Sequence, residues 1–205
     1  MPIAAHIIAA ALAAAHPAPQ PLILAFGDSL TAGYNLPRGQ GFAPQLEAAL
    51  RRHGIAATVA DGGVSGDTTT GGKARLGWTL AGLPRKPDLV IVELGANDML
   101  RNLDPAIPRA NLDAILTELD RRHIPVLIAG MRAPPSVGPA YRAKFDPIYP
   151  ALAKKHRAPL YPFFMEGVAA VPGMQQPDGL HPTFAGVKRI VSGILPRVLA
   201  VLKRR

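Results

Sequence analysis

The chain has 205 residues and no cysteine, which removes thiol nucleophiles, thiolate metal sites and disulfide frameworks together. A single domain of this size buries about 70% of its unfolded surface, and Gly and Pro make up only about a fifth of the chain, so it reads as globular rather than low-complexity. Lys and Arg (23) outnumber Asp and Glu (14) to give a net charge of +9, but they fall as the pairs Arg51-Arg52, Arg121-Arg122 and Lys154-Lys155 and a Lys203-Arg204-Arg205 tail, with no nucleic-acid motif, so no nucleic-acid partner is expected.

Residues 3–15 are apolar and alanine-rich, too short for a spanning helix of about 20 residues. Ala13 and Ala15 before His16-Pro17 match a small-residue cleavage site, while the positively charged start of a signal peptide is missing. Residues 1–20 therefore read either as a signal peptide, sending the protein to the periplasm or outside the cell, or as a retained apolar arm of a cytoplasmic protein. Such an arm packs on the domain or on a second copy in a homodimer. Residues 21–205 read as one domain.

From Leu22 onward short apolar runs alternate with helical patterns. Strands are predicted over 22–26, 56–60, 89–94, 126–129 and 160–161. The run over 89–94 is broken only by Glu93, and absence of alternation suggests burial on both faces. Helices are predicted over 42–53, from an Asp104 cap with Pro105 at the first helical position to near His123, over 139–156, and at the C-terminus. In the last, Val187, Ile190, Val191, Ile194, Leu195, Val198, Leu199 and Leu202 share one face around Pro196. Trp78, at helical spacing from Arg75 and Ala81, is read as packing in the core or at an edge. Repeated strand-helix units imply a parallel sheet covered on both faces, a three-layer α/β/α sandwich of about five strands.

In an open parallel sheet, ligands bind beyond the carboxyl ends of the strands. The segments delivered there are Gly27-Asp28-Ser29-Leu30, Gly63-Val64-Ser65-Gly66-Asp67 and Gly95-Ala96-Asn97-Asp98, joined late in the chain by Asp178-Gly179-Leu180-His181-Pro182. A serine attacks only when a base takes its proton, and an imidazole serves as base when a carboxylate fixes its tautomer. Ser29, His181 and Asp178 can fill those roles. Taken singly, each has a plainer one: helix cap, loop residue before Pro182, and turn initiator before Gly179. Acyl transfer also needs donors aimed at a developing oxyanion, and the Ser29 and Gly66 N–H groups with the Asn97 amide can supply them. Asp28 reads as a loop organiser rather than a catalytic acid.

These four segments, in order, resemble the blocks of the SGNH (GDSL) hydrolases, and the resemblance runs from about Leu22 to Leu202. Val64-Ser65-Gly66-Asp67-Thr68-Thr69 and the stretch from Met131 through Pro134-Pro135 to Phe145 are similar to the bacterial branch of acyl-CoA thioesterase I, lysophospholipase L1 and arylesterases. The resemblance implies a flavodoxin-like hydrolase with Ser29, Asp178 and His181 as triad and Ser29, Gly66 and Asn97 as oxyanion donors. One departure is Asp61-Gly62-Gly63, where this branch often carries Asn before the second block. No G-x-S-x-G elbow occurs in the chain.

The expected reaction is hydrolysis of a small-molecule acyl ester, short-chain or aryl, or of a thioester, through an acyl-enzyme with no cofactor. The Met99-Leu100-Arg101 segment, with Met131, Pro134 and Pro135, can wall the acyl pocket, with ordinary loop packing as the alternative. No metal is expected, because His6, His16, His53, His123 and His156 lack ligand spacing. Lysophospholipids and acetylated sugars stay open as substrates, as does transient contact with an anionic membrane or lipid surface. The rival class is a non-catalytic module of the same fold binding anionic lipid, glycan or nucleic acid; a pure binder has no use for Asp178 and His181 at this spacing.

Overall fold

Three of the predicted strands lack polar alternation because both of their faces are covered. In the computed structural model, which describes residues 20–203, β1 (Leu22–Gly27), β3 (Leu89–Glu93) and β4 (Val126–Ala129) are buried at every residue. They form the centre of a five-stranded sheet completed by β2 (Thr58–Gly63) and β5 (Leu160–Tyr161), in the order β2-β1-β3-β4-β5. All pairs are parallel. β2, at one edge, is only partly covered: Val59 and Gly62 are buried while Thr58 and Asp61 are exposed. The apolar segment over 3–15 and its candidate cleavage site lie outside the described residues, and no described helix is long and apolar enough to cross a membrane.

Helices close both faces. On one side α2 (Phe42–Arg52) packs against α8 (Phe184–Leu202); on the other α3 (Thr69–Ala81) packs on α5 (Ala106–Arg121), which packs on α7 (Ile148–His156). The short helices α1 (Ser29–Ala32) and α4 (Ala96–Leu100) begin directly beyond β1 and β3, and α6 (Pro139–Phe145) precedes α7. Of the apolar stripe predicted for α8, Val187, Ile190, Val191, Ile194 and Val198 lie in the core, while Leu195, Leu199 and Leu202 are partly buried against it. The result is the three-layer α/β/α sandwich.

Five details differ from expectation. β2 runs two to three residues later than its apolar stretch, because parallel pairing with β1 carries it on to Gly62 and Gly63, opposite Phe26 and Gly27. The helix predicted over 139–156 is two helices, since Pro147 has no N–H to continue the ladder and starts α7 instead. α5 begins at Ala106 with Pro105 in the cap position, while the Asp104 carboxylate accepts from the Ala106 N–H at 2.9 Å. Trp78 is not in the core: α3 buries Gly72, Leu76 and Leu80 on one face, and Trp78, two residues past Leu76, points outward with 81% of its surface exposed. The α3 helix itself was hidden by Gly71, Gly72 and Gly77, which weaken helix propensity.

Ile91 lies at the middle of the central strand, 1% exposed. Ile91→Ala is expected to destabilise the fold by about 2–5 kcal/mol, read as a fall in the denaturant midpoint at unchanged slope.

Candidate active site

β1 pairs with β2 on one side and β3 on the other, so the chain reverses direction across the sheet on either side of it. A crevice opens at that point beyond the strand ends. Ser29 sits there as the first residue of α1, nearly buried at 9% exposure. The loop ahead of α8 brings His181 to it: the imidazole Nε2 is 2.9 Å from Ser29 Oγ, and Nδ1 is 2.8 Å from Asp178 Oδ2. This loop is held by the Gln176 N–H donating to the His181 carbonyl at 2.7 Å and by a bridge between Gln175 and Pro182.

The other Asp178 oxygen accepts from the backbone N–H of His181 at 3.0 Å and of Leu180 at 2.9 Å. Those N–H groups, with the imidazole, hold the Asp178 carboxyl down at about 2. Asp178 is thus ionised across the neutral range and can only accept. Nδ1 must then carry the ring proton, which leaves the Nε2 lone pair facing the Ser29 hydroxyl. The Tyr34 ring lies 4.4 Å, centroid to centroid, from the imidazole, and its carbonyl accepts from Gln176 Nε2.

The donor candidates gather at the same edge. Asn97, in the first turn of α4, donates its amide Nδ2 to Asp28 Oδ2 at 3.1 Å, beside the serine. Gly66 ends the turn after β2 with φ +80°, a left-handed conformation that glycine adopts without strain. Its carbonyl accepts from Arg101 Nη2 at 2.8 Å, tying this turn to the end of α4. Arg75 clamps the two strand ends behind it, donating to the Gly27 and Gly62 carbonyls and to Asp67 while its guanidinium lies 4.2 Å over the Phe26 ring. Asp98 accepts from both the N–H and the hydroxyl of Thr69, fixing the start of α3 to α4. At the departure noted before the second block, the Asp61 carboxylate accepts from the Gly63 N–H at 2.9 Å and so makes the loop's own hydrogen bond.

Beneath the serine lie two fully buried carboxyl groups. Asp28 accepts from the Leu30 N–H at 3.0 Å, capping α1. Burial pushes it up to about 6 against the opposing pull of the Leu30 N–H, the Asn97 amide and His181. Glu93 Oε2 accepts from the Thr31 hydroxyl at 2.7 Å and, weakly, from the Asp28 N–H at 3.4 Å. Its Oε1 is buried without a hydrogen-bond partner among the described residues. Burial, then the Asp28 charge, raises Glu93 well above the carboxylate range, so it is a neutral acid where Asp28 ionises first. Gly27 leaves the room for this group: a Cβ there would stand 2.1 Å from Thr31 Oγ1 and 2.5 Å from Glu93 Oε2.

Of the residues considered for an acyl pocket, Met99 and Met131 are buried in the core, Leu100 is half exposed, and Pro134 and Pro135 are exposed. Tyr34, Arg75 and Gln176 are not singled out by the sequence as site residues, and Arg101, read with Met99 and Leu100 as pocket wall, instead bonds the Gly66 carbonyl. Glu93 left the one signal a reader could use, a charge interrupting an otherwise apolar strand.

The GDSL-like lipase/acylhydrolase family model matches residues 25–189, which include every site segment described above. The chain belongs to this family. Esterase TesA of Pseudomonas aeruginosa is 38% identical over 180 residues, 88% of this chain and 89% of that protein. An arylesterase of Vibrio mimicus is 41% identical over 160 residues, 78% of this chain and 79% of the other. Among solved structures, the SGNH-hydrolase family esterase AlinE4 is 52% identical with a TM-score of 0.76, covering 89% of this chain and 97% of that one. The crystal structure of TesA superposes with a TM-score of 0.83 over 88% of this chain and 99% of its own. The α/β/α architecture is therefore shared with SGNH hydrolases.

The neutral state of Glu93 has a measurable consequence. Glu93→Gln keeps a carbonyl oxygen for the Thr31 hydroxyl and should stay within about 1 kcal/mol of the parent protein near pH 6, whereas Glu93→Leu leaves that hydroxyl and the Asp28 N–H unpaired at a cost of about 1–3 kcal/mol. A raised folded-state pKa contributes stability that is complete below the unfolded value and lost as pH rises through the folded one. Denaturant titrations at increasing pH should therefore show Glu93→Gln gaining on the parent protein; a constant difference would mean that Glu93 is ionised throughout.

Proposed function

We propose that this chain is a serine esterase that hydrolyses small carboxylic esters, short-chain acyl or aryl, and thioesters through a Ser29 acyl-enzyme. The observation that carries the reading is the single imidazole hydrogen-bonded to Ser29 Oγ on one side and to Asp178 on the other, at 2.9 and 2.8 Å. Relatives named esterase and arylesterase support the substrate class.

In the proposed cycle Ser29 Oγ attacks the ester carbonyl as its proton passes to His181 Nε2. The imidazolium is stabilised by Asp178 and then hands the proton to the departing alkoxide or thiolate. Water enters, gives a proton to His181, attacks the acyl carbonyl and releases the acid with Ser29 restored. The Ser29 and Gly66 N–H groups and the Asn97 amide are the donors assigned to the oxyanion of both tetrahedral intermediates. Such donors are effective because they are already oriented before charge develops. Met99, Leu100, Met131, Pro134 and Pro135 remain the candidates for the acyl-side wall.

Ser29→Ala should lower turnover of a p-nitrophenyl ester by about 10³-fold or more and abolish labelling by a fluorophosphonate, with an unchanged thermal melt. Retention of most activity would refute the assignment. A chain-length series of p-nitrophenyl esters, with a thioester alongside, tests the substrate class; the proposal requires the highest kcat/KM at short acyl chains.

A further inference from the structure

We propose that Asp28 is a positioning residue whose carboxylate fixes the orientation of the Asn97 amide, so that one amide N–H is held on Asp28 and the other is aimed at the reacting oxygen. This rests on the reading of Ser29 as nucleophile and extends it to a residue with no part in the proton relay.

An asparagine side chain has a carbonyl oxygen and an NH2 group of nearly equal shape, and only its hydrogen-bond partners decide which end faces where. Asp28 has no surface open to solvent, and both of its oxygens are engaged: Oδ1 by the Leu30 N–H at 3.0 Å and Oδ2 by Asn97 Nδ2 at 3.1 Å. An ionised carboxylate can only accept. The Asn97 carbonyl is thus repelled from it, and the NH2 group is turned toward Asp28 and the serine. The backbone cap at Leu30 prevents Asp28 from rotating to release Asn97. The neutral Glu93, accepting from the Asp28 N–H and the Thr31 hydroxyl, holds the same turn from below without placing a second charge beside Asp28.

The replacement Asp28→Asn separates this from a general packing role. Its amide offers one acceptor where two are needed. If the oxygen keeps the Leu30 cap, its NH2 group faces the Asn97 NH2 group, and Asn97 must turn its carbonyl toward Asp28→Asn and lose its aim. Removal of one oxyanion donor costs about 10²–10³-fold in kcat in a well-studied hydrolase. Asn97→Ala is expected to show a loss of that size, and Asp28→Asn about 10–100-fold in kcat with KM nearly unchanged. The decisive measurement is the double variant. If Asp28 acts through Asn97, adding Asp28→Asn to Asn97→Ala should cost less than about threefold more. Effects that multiply in the double variant, or full activity of Asp28→Asn alone, would overturn the proposal. Activity retained by Ser29→Ala would instead overturn the reading beneath it.

A second measurement needs no Asp28 variant. Protonation of Asp28, which burial brings up to about 6, turns one acceptor oxygen into a donor and loosens Asn97. The groups facing Asp28 are His181 from the loop before α8, Asp67 from the turn after β2, Glu93 from β3 and the Tyr149 hydroxyl from α7. All four are common to parent and Asn97→Ala, so their effects cancel in a ratio. The ratio of parent to Asn97→Ala kcat/KM should therefore fall as pH drops below about 6. A ratio constant between about pH 5 and 7.5 counts against the proposal.

Discussion

The parallel pairing of β1 with β2 on one side and β3 on the other is the constraint on which the site depends. It aligns Gly27 with Gly63 and with Glu93, so the ends of three strands meet at one edge. From that edge the chain sends out Ser29, the turn that carries Gly66, and the Asn97 amide. Arg75 reinforces the junction by bonding the carbonyls at two of those ends. The core beneath, continuous through β1, β3 and β4, keeps this edge from shifting, because close-packed interiors yield little to small displacements.

Carboxyl groups of identical chemistry serve opposite ends in this small volume. Asp178, near the surface, is held ionised by two backbone N–H groups and an imidazole. Glu93, at the bottom of the site, is held protonated by burial. Asp28 lies between them, buried but supplied with enough donors to ionise near neutrality. Environment, rather than residue type, separates the one that bonds the His181 imidazole from the one that only accepts two hydrogen bonds. Both oxygens of Asp28, the residue before Ser29, are already committed to hydrogen bonds, in keeping with its having no part in the proposed proton relay.

Much of the fold was legible because parallel strands buried on two faces must be apolar throughout, and β1, β3 and β4 stand out for that reason alone. β2 was misplaced by a few residues since its last two positions, Gly62 and Gly63, carry no side-chain signal and are strand only through their partner. α3 escaped notice because its glycines argue locally against a helix, and its start is fixed by Asp98, which reaches Thr69 from a different part of the chain. Trp78 could not be sided correctly until the buried face of α3 was known. At the site, Ser29, Asp178 and His181 were found as residue types at suggestive places. The ring contact of Tyr34 with His181 and the bond from Arg101 to Gly66 left no trace, since each contact joins segments far apart in the chain.

By itself the sequence determined which segments are strands, which polar residues follow them, and that serine is the only strong nucleophile offered beside a histidine and a carboxylate. Tertiary structure alone decided the protonation state of each carboxyl, the tautomer of His181 and the orientation of Asn97. Composition and spacing describe what groups are present, whereas desolvation and hydrogen-bond partners depend on neighbours that only the parallel crossovers bring together. Asp28 and Asn97, 69 residues apart, share a hydrogen bond because β1 and β3 are adjacent in the sheet.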